Sequence, residues 1–66
     1  MTVEELLLNG RALLAERRSQ LAAIDAGDSR MESADGVDLT PELRARTLSS
    51  IESLERQIAF LEIQAA

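Results

Sequence analysis

The sequence has no cysteine, no histidine and no lysine, and its only aromatic residue is Phe60. Without cysteine, a chain of 66 residues cannot use disulfides to stabilise the small core that its length allows. The usual soft metal ligands are missing as well. We therefore expect helix packing together with self-association to provide the stability. The lack of cysteine also fits an intracellular protein.

The same absences leave little for catalysis. There is no histidine base, no cysteine, lysine or tyrosine nucleophile, and no glycine-rich phosphate loop. Carboxylate pairs remain, but they need a formed cleft, which so short a chain has little room to build. The spacing of the acidic residues also misses that of a twelve-residue calcium loop. The sequence predicts a protein that is not an enzyme and that uses no cofactor and no metal.

Basic charge and long apolar runs are also scarce. Twelve acidic residues outweigh seven arginines, giving a net charge of −5, which argues against specific nucleic-acid binding. The all-arginine usage suits carboxylate pairing at interfaces or reflects a GC-rich genome. The adjacent Arg17 and Arg18 could touch phosphate or be ordinary surface charge. The longest run of large apolar residues, Leu6 to Leu8, is far too short for a membrane span. Glu4 and Glu5 make a signal peptide unexpected, so we expect a cytoplasmic location.

The first half of the chain has the pattern of an amphipathic helix over about residues 2–26. Thr2 and Glu5 have the spacing of a capping box, in which the Thr2 hydroxyl accepts from the Glu5 amide and the Glu5 carboxylate accepts from the Thr2 amide. Gly10, on the apolar face, suggests a close neighbour or a bend, or is simply tolerated. Arg17 interrupts that face, where its aliphatic stem could cover apolar surface while its guanidinium reaches a carboxylate such as that of Glu16 or one on a partner. Its stripe comprises Val3, Leu7, Gly10, Leu14, Arg17, Leu21 and Ile24.

Residues 27–39 form an acidic linker. Gly27 is suited to end the first helix in the left-handed conformation. Half of the acidic residues lie between Asp25 and Glu42. Asp35-Gly36 is the favoured pair for a two-residue hairpin turn, although its flanks are poor in strand-forming residues. Both a short β-hairpin and an irregular loop therefore stay open.

A second amphipathic helix is predicted over about residues 40–65. Thr40 has the position of an N-cap and Pro41 that of the first helical residue. The serines at 49 and 50 could kink or restart the helix, but the apolar face continues across them, so we predict one helix. That face comprises Leu43, Thr47, Ile51, Leu54, Ile58, Leu61 and Ala65.

These patterns predict one mainly α domain over residues 1–66, with two long antiparallel helices joined by an acidic loop or short β-hairpin. Three apolar residues, Leu8, Phe60 and Ile63, fall outside both stripes. We interpret them as a partner-facing surface, with scattered exposure as the alternative. The residues expected in the helix-helix seam are Leu7, Leu14, Leu21, Ile24, Ile51, Leu54, Ile58 and Leu61.

Several segments together match a known family: Met1-Thr2, Glu4-Glu5-Leu6, Arg11-Ala12-Leu13-Leu14, Gly27 leading to Asp35-Gly36, and Leu54, Ile58-Ala59 and Leu61-Glu62-Ile63-Gln64. In these segments the chain resembles the W family, the small head-completion (head-tail joining) proteins of lambda-type tailed phages. The family pairs two helices across a β-hairpin, whereas the linker here lacks its aliphatic and aromatic alternation and the helical segments are longer.

The resemblance implies a virion protein that assembles as a ring beneath the portal, retains the packaged genome and provides the platform for the next neck protein or the tail. It would then reside in the virion and, during assembly, in the host cytoplasm, with portal or neck proteins as partners. Two alternatives stay open. One is a small acidic helical inhibitor or regulator of a host protein or nuclease with a basic surface. The other is a simple helical-hairpin homodimer that forms a four-helix bundle.

Overall fold

A computed structural model describes all 66 residues and contains two helices, α1 (Val3–Asp25) and α2 (Thr40–Ala65). The helices lie side by side and antiparallel, because Gly10 lies against Ile58 near one end while Asp25 pairs with Arg44 at the other. The molecule is a rod with extents of 49 × 18 × 15 Å. The predicted mainly α fold of two long helices is confirmed. We call the end that carries both chain termini the open end and the end that carries the linker the closed end.

The start of α1 uses half of the predicted capping box. The Glu5 amide donates to the Thr2 hydroxyl oxygen at 3.1 Å, as the spacing predicts. The Glu5 carboxylate, however, accepts from the Thr2 hydroxyl at 3.2 Å, and not from the Thr2 amide. The Thr2 hydroxyl therefore accepts a hydrogen bond from the Glu5 amide and donates one to the Glu5 carboxylate. Glu4 and Glu5 also place negative charge at the positive end of the helix dipole.

The end of α1 depends on a left-handed glycine, as expected. Gly27 has φ +80°, and its N–H donates to the carbonyl of Ile24 at 3.1 Å. The next amide, that of Asp28, reaches back to the carbonyl of Ala23 at 2.9 Å. These two bonds make a Schellman motif, which satisfies carbonyls that the end of the helix would otherwise leave unpaired.

The linker contains a minimal hairpin turn with no strand on either side. The Gly36 amide donates to the Ser33 carbonyl at 3.0 Å, and Gly36 has φ +82°. One isolated antiparallel bridge joins Glu32 and Asp38. The turn spans Ser33 to Gly36, with Ala34 and Asp35 at its centre and Gly36 as its last, left-handed residue, so the loop has three residues and not the two that Asp35-Gly36 favours.

The start of α2 also differs from the prediction. Thr40 is the first helical residue, not its cap, and its hydroxyl accepts from the Met31 amide at 3.2 Å. The Asp38 carboxylate instead accepts from the Thr40 amide at 3.0 Å. Thr40 therefore ties the linker back onto the helix. Past this point α2 is continuous, without a break at the serines of positions 49 and 50.

The core is a single seam between the two helices, weighted toward the open half of the rod. Ile24 is buried separately near the closed end, and Thr47 is buried with its hydroxyl donating to the Leu43 carbonyl at 2.9 Å. Val3, Leu21 and Leu61 pack partly buried against the main cluster. The five residues of that cluster are Leu7, Leu14, Ile51, Leu54 and Ile58. Neither helix combines the length and apolarity needed to cross a membrane.

Candidate protein-interaction surfaces

The three residues expected to face a partner are all on the outside of the rod. Leu8 is 70% exposed, Phe60 61% and Ile63 72%. Each leaves a large apolar side chain in water, which is unfavourable unless something covers it. Leu6 and Leu13 are also partly exposed, at 39% and 37%.

The fold does not bring Leu8, Phe60 and Ile63 together into one surface. At about 100° per residue, Leu8 lies roughly 140° from the middle of the α1 seam. Phe60 lies at a similar angle from the α2 seam but in the opposite rotational sense, while Ile63 is almost directly opposite that seam. In an antiparallel pair, equal rotational senses share one side of the hairpin. Leu8 and Phe60 therefore belong to opposite sides, and Ile63 to the outer edge.

Two contacts between the helices identify the sides. Arg17 Nε donates to Ser50 Oγ at 3.3 Å on one side of the seam. Within the chain Arg17 does not reach Glu16 or another carboxylate, and its other hydrogen bond is to Gln20 Oε1 at 3.4 Å. Its neighbour Arg18 points to the other side and pairs with Glu55 at 3.2 Å. Both members of that ion pair are about half exposed, so it contributes little stability but marks the geometry.

On the side of the hairpin that carries Ser50, the residues that flank the seam on each helix are uncharged. Residues seven positions apart on a helix share one row, and on α1 that row is Leu6, Leu13 and Gln20. The matching row on α2 is Ser50, Gln57 and Gln64. We call this side the neutral face, and it consists of Leu6, Asn9, Leu13, Gln20, Ser50, Ser53, Gln57, Phe60 and Gln64. Two charged residues, Glu16 and Arg46, lie at the outer edges of this side, in the rows of Asn9 and Phe60, and are not counted in the face.

The opposite side carries charge in the corresponding rows. On α1 every residue of the row is ionised, and on α2 two glutamates follow Leu48 at seven-residue steps. We call this side the charged face, and it consists of Glu4, Leu8, Arg11, Ala15, Arg18, Asp25, Leu48, Glu52, Glu55, Ala59 and Glu62. The rows next to the seam are therefore charged on one broad side of the hairpin and uncharged on the other, and apolar Leu6, Leu13 and Phe60 lie on the uncharged side.

Sequence reasoning missed the neutral face because it asked only which apolar residues fell outside the seam. Leu6 and Leu13 adjoin the α1 stripe in sequence, and each is more than a third exposed. The signal that identifies the face was available: rows of uncharged residues at seven-residue spacing on both helices, opposite rows that are charged.

The closed end is fastened by an exposed ion pair. Arg44 Nε donates to Asp25 Oδ1 at 2.7 Å, and Nη2 donates to Oδ2 at 3.4 Å. This fork-like hydrogen bonding, together with the charge of Arg44, holds the pKa of the Asp25 carboxyl below its ordinary value. The same contact raises the pKa of Arg44. The pair joins the last turn of α1 to the first turns of α2.

The acidic linker has one carboxylate with a structural role. Hydrogen bonds from Thr40, through its side chain and then its backbone, lower the pKa of Asp38. Asp28, Glu32 and Asp35 are exposed. No group of three or more acidic side chains is placed to hold a metal ion, and no cavity opens in the hairpin.

Comparison with known proteins gives no match: no family model, curated protein or solved structure is similar to this chain at a significant level.

Proposed function

We propose that this protein is a non-enzymatic assembly component that acts by binding other proteins through apolar side chains on the outside of its helical hairpin. The observation that supports the proposal is the exposure of Leu8, Phe60 and Ile63, each above 60%. Large apolar residues left in water at several points of a small rod favour more than one protein contact. The hairpin itself supplies a rigid support for them, because both helices are continuous.

The particular role that we propose is head completion in a tailed phage, with the protein assembling as a ring on the portal. This part rests on the resemblance to the W family. Two helices separated by a turn at Ser33 to Gly36 agree with a helix-hairpin-helix plan in outline. Exposed apolar residues on different sides of the rod suit a ring subunit, which needs different surfaces for its two neighbours. Portal, protease and tail genes beside this gene would support the role.

The double variant Phe60→Ser/Ile63→Ser tests the proposal. We expect it to fold, since both side chains are mostly exposed, and to lose assembly with its partners. In a phage complementation assay, particles made with it should package DNA and fail to join tails. Covering both side chains at an interface contributes roughly 3 to 5 kcal/mol. The loss therefore corresponds to two or more orders of magnitude in association.

A matched control is the double variant Ala12→Ser/Ala59→Ser, which makes two polar changes at exposed positions without removing a large apolar side chain. It should complement as the natural protein does. Circular dichroism shows whether each variant is helical. Normal tail joining by a folded Phe60→Ser/Ile63→Ser variant would refute the proposal.

A second candidate is a small acidic inhibitor or regulator that covers a basic surface of a host protein or nuclease. The observation that favours it is the density of exposed carboxylates at Asp28, Glu32 and Asp35, all at the closed end. Such binding would weaken steeply with salt. The triple variant Asp28→Asn/Glu32→Gln/Asp35→Asn separates the two functions, because it should abolish inhibition but leave tail joining unchanged.

A further inference from the structure

The neutral face is the part of the surface where no charged residue lies next to the seam. In the rows next to the seam it carries leucine, glutamine and serine, with Phe60 beside them. Interface centres are depleted of charged residues relative to the rest of a protein surface, and aromatic residues are enriched there. The charged face has the opposite composition, with one ion pair formed between Arg18 and Glu55. The two sides of this hairpin therefore differ as an interface differs from a solvated surface.

The exposed surface is large for a single chain of this mass, which leaves area for an interface. The chain exposes 4856 Å², whereas a compact monomer of its mass exposes about 4,100 Å². The radius of gyration is 14.9 Å, against about 11 Å for a compact domain of this length. No side chain is fully buried. The excess of about 700 Å² is close to what each partner buries in a standard protein-protein interface.

We propose that the neutral face is covered by the neutral face of a second copy, forming a two-fold symmetric four-helix bundle. Each chain carries a net charge of −5, so two copies repel each other, and the cost is smallest where the contact brings no like charges close together. The neutral face meets that condition and presents the same patch to itself, as a two-fold interface requires. This inference names the first partner of the proposed assembly protein and rests on that proposal for its biological use.

The position of the apolar residues selects the symmetry axis. Leu6 lies early in α1, Leu13 lies near its middle and Phe60 lies late in α2, so the apolar group is weighted toward the open half of the rod. A two-fold axis parallel to the helices brings the two apolar groups together, while an axis across them places the groups at opposite ends. The parallel axis also sets α1 of each copy against α2 of the other, so that all neighbouring helices are antiparallel.

The same arrangement is compatible with the charges at the edges of the neutral face. It places Glu16 of each copy alongside α2 of the other copy, where the charge at the edge is that of Arg46. These opposite charges lie about six residues apart along the rod, near 9 Å, so their attraction is weak but of the favourable sign. Leu8 and Ile63 remain outside the bundle, free for other partners.

The mass of the full chain in solution, measured by light scattering during size-exclusion chromatography, tests the inference. We expect the mass of two chains at micromolar concentration. Leu13→Glu should weaken association at least a hundredfold, because the two-fold axis makes each substitution count twice. Leu8→Glu, a leucine-to-glutamate change on the charged face, should leave the dimer intact. A wild-type mass of one chain, or of more than two, overturns the proposal.

A second matched pair guards against loss of folding. Gln57→Glu and Ala59→Glu both place a carboxylate at an exposed position of α2, two residues apart, on the neutral face and the charged face respectively. Only Gln57→Glu should weaken the dimer, with the helicity of both variants unchanged by circular dichroism. Equal effects of the two would overturn the assignment of the face. Phage complementation is read separately, so failure of the dimer and failure of the assembly role are distinguishable.

Discussion

The two helices approach each other closely at Gly10, the only glycine inside a helix. A β-carbon there would lie 3.3 Å from Cγ1 of Ile58, closer than ordinary van der Waals contact. Of the three readings that the sequence allowed, close approach by a neighbour is the one observed, and α1 is unbroken through Gly10. The cost of a glycine inside a helix is thus offset by packing at this point.

Gly10→Val should lower the free energy of unfolding by about 1 to 3 kcal/mol, because a branched side chain overfills the space that Ile58 occupies. Urea unfolding followed by circular dichroism measures the change. Ile58→Ala combined with Gly10→Val provides the control. The double variant should lose less unfolding free energy than the two single variants lose together, because alanine at position 58 makes room for the valine. Strict additivity would mean that Gly10 and Ile58 do not meet.

The pair formed by Asp25 and Arg44 makes part of the stability depend on pH. The pKa of Asp25 is lower in the folded chain than in the unfolded chain, because Arg44 donates to the ionised carboxylate. A depressed carboxyl pKa stabilises the fold above the unfolded pKa, and this contribution is lost as pH falls through the folded pKa. We therefore expect stability to fall from about pH 4 downward.

Asp25→Asn should reduce this acid sensitivity, and so should Arg44→Gln, because either change removes the pair. Unfolding midpoints measured between neutral pH and about pH 2 make the comparison. Asp35→Asn serves as the control, since Asp35 is exposed and no ion pair involves it. Acid sensitivity that persists in Asp25→Asn at the wild-type level would assign the effect to another carboxyl, with Asp38 the first to test.

At the scale of the elements, the sequence predicted the helices well because their signals are local and repeated. The apolar spacing runs through both helices, and Gly27 ends α1 in the left-handed conformation that its position suggested. The observed helices, Val3–Asp25 and Thr40–Ala65, begin and end within one residue of the predicted ranges. Serines 49 and 50 do not break α2, since packing along the seam outweighs their weak helix propensity.

The linker was predicted less well because its contacts join residues that local rules treat separately. Thr40 has the sequence position of an N-cap, but its hydroxyl accepts from Met31, nine residues earlier. Asp35-Gly36 suggested a two-residue turn, while the bridge between Glu32 and Asp38 leaves a longer loop. Turn type is set by where the two arms pair, and the arms here have no strand pattern from which that pairing could be inferred.

The seam between the helices is expected to tolerate no charge. Leu54→Asp or Ile58→Asp should unfold the domain, because each places a carboxylate without a partner among buried apolar side chains, at a cost of several kcal/mol. So small a core supplies only about 3 to 5 kcal/mol in total. Circular dichroism should show loss of helicity in both variants and full helicity in Ala59→Asp, an exposed control on α2. Two fully helical seam variants would show that the helices pack on another face.

At the scale of the whole molecule, the sides of the hairpin matter more than the individual apolar residues. Leu8, Phe60 and Ile63 share only the property of lying outside the seam. In the antiparallel hairpin they lie on different sides. Which row of α1 shares a side with which row of α2 depends on that packing, and the contacts of Arg17 and Arg18 established it. The exposure of a single residue can be predicted from the pattern of its own helix. Assigning residues to a face of the hairpin requires knowing how the two helices pack.

The rod as a whole should melt at a temperature that depends on its concentration, if two copies share their neutral faces. Unfolding of a dimer releases two chains, so each tenfold increase in concentration stabilises the dimer by about 1.4 kcal/mol. For a folding unit of this size that corresponds to a rise of roughly 4 to 6 °C in midpoint, and a hundredfold range should give about 10 °C. Circular dichroism in cells of different path length covers that range. Leu13→Glu should melt at a lower temperature with no such dependence, whereas Leu8→Glu should follow the wild type. A wild-type midpoint that stays constant over the whole range would mean that the hairpin folds as a single chain and that its neutral face does not bind a second copy.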